Sequence, residues 1–142
     1  MGVDPERFPE RDWWIDHVRQ DLARPVAERQ YMYLVAEVDG EPVAHCNLNK
    51  VVSGVEAYMH LHVWSADDRL SGVGTEMVRQ AVPQFCAELE LEVIYCEPKA
   101  SNEGPNRTLA KVGFELVKTY WTTPGWLNYE QEVNRWALSC SG

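Results

Sequence analysis

The chain is short of basic residues and has no cluster of them: 13 Lys and Arg stand against 22 Asp and Glu, a formal charge of −9 at neutral pH. A surface that tracks a phosphate backbone needs grouped cations, so nucleic acid is excluded as a partner. The overall field instead favours a cationic or amine-bearing partner. No apolar run is long enough to span a bilayer, which excludes a membrane protein, and Asp4, Glu6 and Arg7 stand where a signal-peptide core would lie. Position 6 is neither Ser nor Thr, so Met1-Gly2 does not open a myristoylation motif. There is no C-x-x-C pair among Cys46, Cys86, Cys96 and Cys140, and four scattered thiols are expected to be reduced, in a cytoplasmic protein. Repeats and low-complexity linkers are also missing. What remains is one domain, residues 1–142, whose 45% apolar content and six Trp can fill a core.

Trp13, Trp14, His17, Val18 and Leu22 share one helical face, and the helix must end before Pro25. Tyr31 to Val38 is strand-like, Asp39-Gly40 is a two-residue hairpin signal into Val43 to Leu48, and Ser53-Gly54 turns the chain into Tyr58 to Trp64. Three strands joined by short turns make an antiparallel meander. The period then changes. Val73, Met77, Ala81, Phe85 and Leu89 recur every four residues, with Val78 and Val82 beside them, predicting a helix to about Glu90 that Pro83 should kink. Glu92 to Glu97 is a new strand, and strand-helix-strand spacing of this kind implies a parallel pair with a right-handed crossover. Gly104-Pro105 opens a short helix that Gly113 closes, and Phe114 to Thr122 and Val133 to Leu138 are the final strands, with Asn134-Arg135-Trp136 expected at a sheet edge. The fold class is therefore α/β, with a mixed sheet.

The junction between Trp64 and Thr75 is the part built for binding. Helix-initial N–H groups lack internal partners and carry the positive end of the peptide dipoles, so an anion is stabilised there. Gly72 and Gly74 let backbone approach closely, and Arg69 adds a planar cation suited to phosphate.

An apolar strand, then Arg69-Leu70-Ser71-Gly72-Val73-Gly74 starting a helix, then a strand, then Asn102 and Asn106-Arg107-Thr108-Leu109-Ala110-Lys111-Val112-Gly113-Phe114, resembles the GNAT superfamily of acyl-CoA-dependent N-acetyltransferases. The resemblance runs from Tyr31 to Leu138 and is nearest in flavour to the ribosomal-protein N-acetyltransferase branch. It implies a mixed central sheet with helices on both faces, in which the meander is followed by a parallel βαβ unit and a C-terminal strand pair. It implies acetyl-CoA as cosubstrate, with the turn amides of Leu70, Ser71, Gly72, Val73, Gly74 and Thr75 on the pyrophosphate. Arg69, Asn102 and Asn106 join that cofactor set, and pantetheine lies between the strands ending at Trp64 and Glu97. Residues 1–30 are short for the family, so its first strand and paired helices are partly missing or remodelled. Many members carry a Tyr where Leu109 stands, and Leu109 cannot protonate a leaving thiolate; water, Tyr120 or the ammonium formed in the attack are the alternatives.

The chemistry can be argued on its own terms. An amine attacking a thioester builds charge on the carbonyl oxygen, which calls for a free backbone N–H where strands diverge, at Val63 or Trp64. The amine is protonated at neutral pH, so a base must take a proton directly or through water. Strand alternation puts Tyr58, His60, His62 and Trp64 on one face, and Glu97 on the face of Val93 and Tyr95, so Glu97 and His62, with His60 beside them, are the candidate catalytic residues. Cys96 points the other way, which favours direct transfer in a ternary complex over an acyl-cysteine. His60 and His62, with His45, Cys46 and Cys96 near in sheet order, lack any recognisable metal-ligand spacing, and no metal is expected. The aromatic segment Tyr120 to Tyr129 is a candidate acceptor wall or dimer contact. The acceptor is a small-molecule or protein amine. Two other functions remain open: a noncatalytic CoA-binding module, and a dinucleotide-binding domain, against which Met77 occupies the third glycine position.

Overall fold

Turn chemistry fixes the first half of the sheet. The structure, a computed structural model, describes residues 3–65 and 72–141. Strand β1 (Met32–Val38) meets β2 (Glu41–Val52) through Asp39 and Gly40, both at positive φ (53° and 81°), as a tight hairpin requires. A second turn through Gly54 (φ 80°) leads to β3 (Glu56–Val63). The helix α2 (Val73–Leu89) crosses to β4 (Val93–Cys96), α3 (Glu103–Val112) follows, and β5 (Glu115–Thr122) and β6 (Gln131–Ser139) end the chain. The strands form one six-stranded sheet ordered β1-β2-β3-β4-β6-β5, antiparallel throughout except for the parallel β3–β4 pair.

The period of the apolar residues decides which face is filled. On α2, Met77, Val78, Ala81, Val82, Phe85 and Leu89 are buried. They pack over the inward residues of β2 and β3, where Cys46, Leu48, Ala57 and Met59 are almost wholly enclosed, with Ile94 of β4 beside them. The helix runs through Pro83 rather than ending there, and Pro83 lies on its exposed side. Gly113 caps α3 at φ 105°. The opposite face of the sheet is polar and aromatic.

Three expectations are corrected. Helix α1 (Arg11–Leu22) forms, but its apolar face is not set into the core: Trp13 and Leu22 are exposed, and its one buried residue is Asp21. Asp21 accepts from the backbone N–H of Gln30 (3.0 Å) and Tyr31 (3.2 Å), so the helix is tied to the start of β1 by a carboxylate rather than by apolar burial. Strand β6 is not at an edge; it lies between β4 and β5, because the β5–β6 hairpin folds back and inserts its second strand against β4. The cysteines are not all thiols: Cys86 at the end of α2 and Cys140 after β6 form a disulfide (S–S 2.13 Å), while Cys46 and Cys96 are free and buried. The argument for a cytoplasmic location from four reduced thiols therefore lapses. Among the described residues no helix is long and apolar enough to cross a membrane.

The bridge closes a 54-residue separation, for which chain-entropy arguments give roughly 4 kcal/mol. Intact-mass measurement should show two hydrogens fewer than the fully reduced chain, and reduction by dithiothreitol should lower the urea midpoint by a corresponding amount. An unchanged midpoint would mean that the bond does not restrain the unfolded chain.

Candidate active site

The parallel ladder between β3 and β4 has only three rungs, Glu56–Val93, Ala57–Ile94 and Tyr58–Tyr95. Past Tyr58 the two strands part. Strand β3 continues to Val63 paired only with β2, and β4 ends at Cys96 and leans on β6. Backbone groups alternate sides along a strand, and the Trp64 N–H donates to Val43 O (3.0 Å) on the β2 side. The Trp64 amide is therefore already used, against the expectation that it would be open. By the same alternation Leu61 directs its amide toward the gap, whereas Val63, the other expected donor, has an interaction of its own.

Above that gap α2 begins. Gly72 precedes it at φ 82°, a left-handed conformation that a side chain would strain, and Glu76 N–H closes the first turn onto Gly72 O (3.1 Å). Gly74 is buried against β3: a Cβ there would meet Val63 Cγ2 at 3.3 Å. Val73 and Thr75 complete the first turn, their side chains half-buried. This turn thus presses on the end of β3, five residues past its last rung with β4. Arg69, Leu70 and Ser71, the other candidate phosphate residues, lie outside the described residues.

On the polar face the divergence is flanked by side chains. Tyr58 and Tyr95 stack at the last rung, with ring centroids 5.3 Å apart. Arg135 of β6 spans them, donating to Tyr58 Oη (2.8 Å) and standing 4.1 Å from the Tyr95 centroid. Two residues beyond that rung come Glu97 on one side and His60 on the other. Half-buried Glu97 accepts a hydrogen bond from Tyr120 Oη. Tyr120 is held protonated: desolvation raises its pKa first, and the bond to Glu97 and that carboxylate's charge raise it further.

The register thus pairs Glu97 with His60 in level, rather than with His62. His60 Nε2 is 3.0 Å from Asn49 Oδ1, which fixes a proton on Nε2 and leaves Nδ1 as an acceptor. Its pKa is pushed down to about 4, chiefly by desolvation and then by Lys50 and His45. The His60 side chain is exposed to water on the polar face of the sheet. His62 lies further along β3 against His45 (5.8 Å between rings), and His45 Nδ1 accepts from Trp64 Nε1 (2.8 Å). Burial lowers the His45 pKa, with His62 adding to the effect.

Asn102 caps α3 without a side-chain bond. Asn106 is a different matter. Its Nδ2 donates to Lys99 O (3.1 Å) and Asn102 O (2.7 Å), and its Oδ1 accepts from Asn134 Nδ2 (2.9 Å) and Trp136 Nε1 (2.8 Å). All its hydrogen-bonding capacity is engaged inside the protein, so it locks α3 to β6 and is corrected from cofactor ligand to structural hub. Leu109 is fully buried in the core. The thiols of Cys46 and Cys96 lie on the helix-covered face, opposite the histidines, and among the described residues no group of His, Cys, Asp and Glu is arranged around a metal ion.

At the β1 end of the polar face, α1 and the β5–β6 connection enclose a cavity of about 390 Å³. His17, stacked on Trp13 (4.6 Å) and edge-on to Tyr31 (5.1 Å), forms one wall, and Trp126, 5.8 Å from Trp13, forms another. Asn49 and Lys50 line the side nearest His60. The segment before α1 joins this side through an isolated bridge, Val3–Asn128.

A mixed sheet whose parallel pair opens beneath a glycine-started helix, with a carboxylate and an imidazole at the opening, fits an acyl-CoA-dependent transferase. Residues 3–115 match the family model for the acetyltransferase (GNAT) domain, and the chain belongs to this family of N-acetyltransferases. No curated protein sequence matches it. Similar solved structures include a spermidine N-acetyltransferase SpeG chimera from Vibrio cholerae and hSSAT (14% identity, TM-score 0.77, 94% of this chain and 82% of that one). The aminoglycoside acetyltransferase AAC(6')-Ib in complex with coenzyme A shares 20% identity at TM-score 0.65, over 86% of this chain and 75% of that one. Mycobacterium smegmatis RimJ in complex with CoA-disulfide shares 17% at 0.74, over 90% of this chain and 61% of that one. At these identities the likeness is one of fold.

Two measurements check this geometry. Since the folded His60 pKa is about 4, below the ordinary value of roughly 6.5, its ring resonances should stay neutral down to about pH 5. The unfolded chain then binds more protons between those values, so His60 lowers stability as pH falls through this window and has no effect above it; a His60 midpoint near 6.5 by NMR contradicts the placement. Asn106→Ala should cost about 1–2 kcal/mol in urea unfolding, because it leaves the part-buried Asn134 and Trp136 donors unpaired, while leaving coenzyme A affinity within about twofold.

Proposed function

We propose that the protein transfers an acetyl group from acetyl-CoA to a primary amine by direct attack in a ternary complex, with Glu97 as the base. The observation that carries this is the end of the parallel ladder at Tyr58–Tyr95, with Glu97 and His60 on either side of the opening. Acetyl-CoA, when bound, supplies the activated thioester. The first turn of α2, from Gly72 to Thr75, together with Arg69, Leu70 and Ser71, holds its pyrophosphate, and Asn102 lines the far side. The Leu61 amide, on the side of β3 that faces away from β2, meets the carbonyl oxygen and stabilises the charge that develops there.

Glu97 takes one proton from the ammonium, directly or through water, which frees the nitrogen lone pair; the C–N bond then forms, the nitrogen gives its second proton to solvent, and the C–S bond breaks. Its hydrogen bond from Tyr120 orients the carboxylate, and the phenol stays protonated throughout. Solvent protonates the departing thiolate, because buried Leu109 offers no proton. His60, with Nε2 engaged by Asn49, serves as a neutral acceptor that orients the amine through Nδ1. His62 stands one step outside this group. An acyl-cysteine route is disfavoured by burial: Cys96 is 4% exposed, and desolvation raises the Cys46 pKa to about 12. The two other cysteines are joined to each other.

Thiol release from acetyl-CoA with a panel of amines tests the proposal. Glu97→Gln should lower kcat by roughly a hundredfold or more with coenzyme A affinity retained, and Tyr120→Phe should have a smaller effect. Full activity in Glu97→Gln would remove the base from this position. Thermal stabilisation by acetyl-CoA without turnover of any amine would favour the noncatalytic module.

A further inference from the structure

Lys50 is a lysine in a conformation that lysines rarely adopt. Its φ is 48°, in the left-handed region, where the β2–β3 ladder breaks register between Asn49 and Val52. A bulge of this kind re-aims a side chain, and a non-glycine residue held there costs free energy that the surroundings must offset. The effect of the bulge is to turn Lys50 onto the polar face. Its ammonium donates to Pro124 O (2.8 Å) and stands 4.9 Å from the Tyr58 ring centroid. Among the described residues no carboxylate forms an ion pair with it.

The cavity beside His60 shares this sign. Its charged lining consists of Lys50, Arg24 and Asp21. Asp21 is buried and already satisfied by the amides of Gln30 and Tyr31, with Arg24 3.8 Å away, whereas the Arg24 side chain is half-exposed. Arg135 adds a further cation on the same face, at the Tyr58–Tyr95 rung. A chain of net charge −9 thus presents a locally cationic recess whose wall residue Asn49 bonds His60. Such a recess repels a polyamine and attracts an anion, so the overall charge misleads about the acceptor. At about 390 Å³ it is at the small end of ligand-sized cavities.

Resting on the acetyl-transfer proposal above, we infer that the acceptor is a small primary amine that also carries a carboxylate, its anionic end held by Lys50 with Arg24 and its amine presented to Glu97 and His60. The aromatic walls at Tyr31 and Trp126 cover the connecting carbon chain. Lys50 acts as a specificity residue and takes no part in the proton transfer.

Three acceptors of matched length separate the charge from the rest: γ-aminobutyrate, its neutral amide, and putrescine. Wild type should use the acid with kcat/KM at least tenfold above the amide, and putrescine should be poorest. In Lys50→Gln the acid-to-amide ratio should fall about tenfold, and Lys50→Arg should restore it. Equal use of acid and amide by wild type, a preference for putrescine, or a ratio unmoved in Lys50→Gln would each overturn the inference. If no amine releases thiol, the transfer proposal itself fails. Equilibrium binding of the acid and of putrescine to the CoA-saturated protein, wild type and Lys50→Gln, then decides the charge preference separately.

Discussion

The brevity of the β3–β4 pairing is the constraint on which the site depends. Parallel strands form evenly spaced bonds as long as they run together, and each added rung would satisfy two more backbone groups. Here the pairing stops after Tyr58–Tyr95, because β4 is only four residues long and its far end is held by β6. Strand β3 is held just as firmly by β2 on its other side. The two strands separate because each has a stronger neighbour, and the opening is maintained by the sheet rather than by any residue within it.

Around the opening the protein separates its tasks by face. Beneath the sheet, α2 and α3 pack apolar side chains, and the two free cysteines are buried with them. Above it, the rings of Tyr58 and Tyr95, the Arg135 guanidinium and the Tyr120 phenol form a polar layer around Glu97. Period-two alternation makes this possible in four adjacent strands at once, β3, β4, β6 and β5, since neighbours in register expose the same face. Asn106 serves the arrangement from below, fixing α3 to β6, and so sets the position of the strand that carries Arg135.

Much of this was legible in the sequence, for physical reasons that differ by element. The Asp39-Gly40 turn and the buried stripe of α2 follow from local chemistry and a single strong period, and both formed as expected. The parallel pair followed from strand-helix-strand spacing, and the GNAT fold from two motifs in order. The failures share a cause: they depend on which strand lies beside which. Nothing local marks β6 as an interior strand, so Arg135 looked peripheral, and the level of His60 with Glu97 required the β3–β4 register. Asn106 resembled a ligand because two of its four partners, Asn134 and Trp136, come from a strand distant in sequence. The bulge at Lys50 carries no glycine to announce it, and α1 is anchored by Asp21, a residue that apolar patterning ignores.

The covalent link described for Cys86 and Cys140 has a mechanical meaning. Cys140 follows the Val93–Ser139 rung, and its amide bonds Glu92 O, so the tether sits at the end of the sheet where β3 and β4 are still joined. It fastens the C-terminal end of α2 to the end of β6, so helix and sheet are covalently joined on the side opposite the opening.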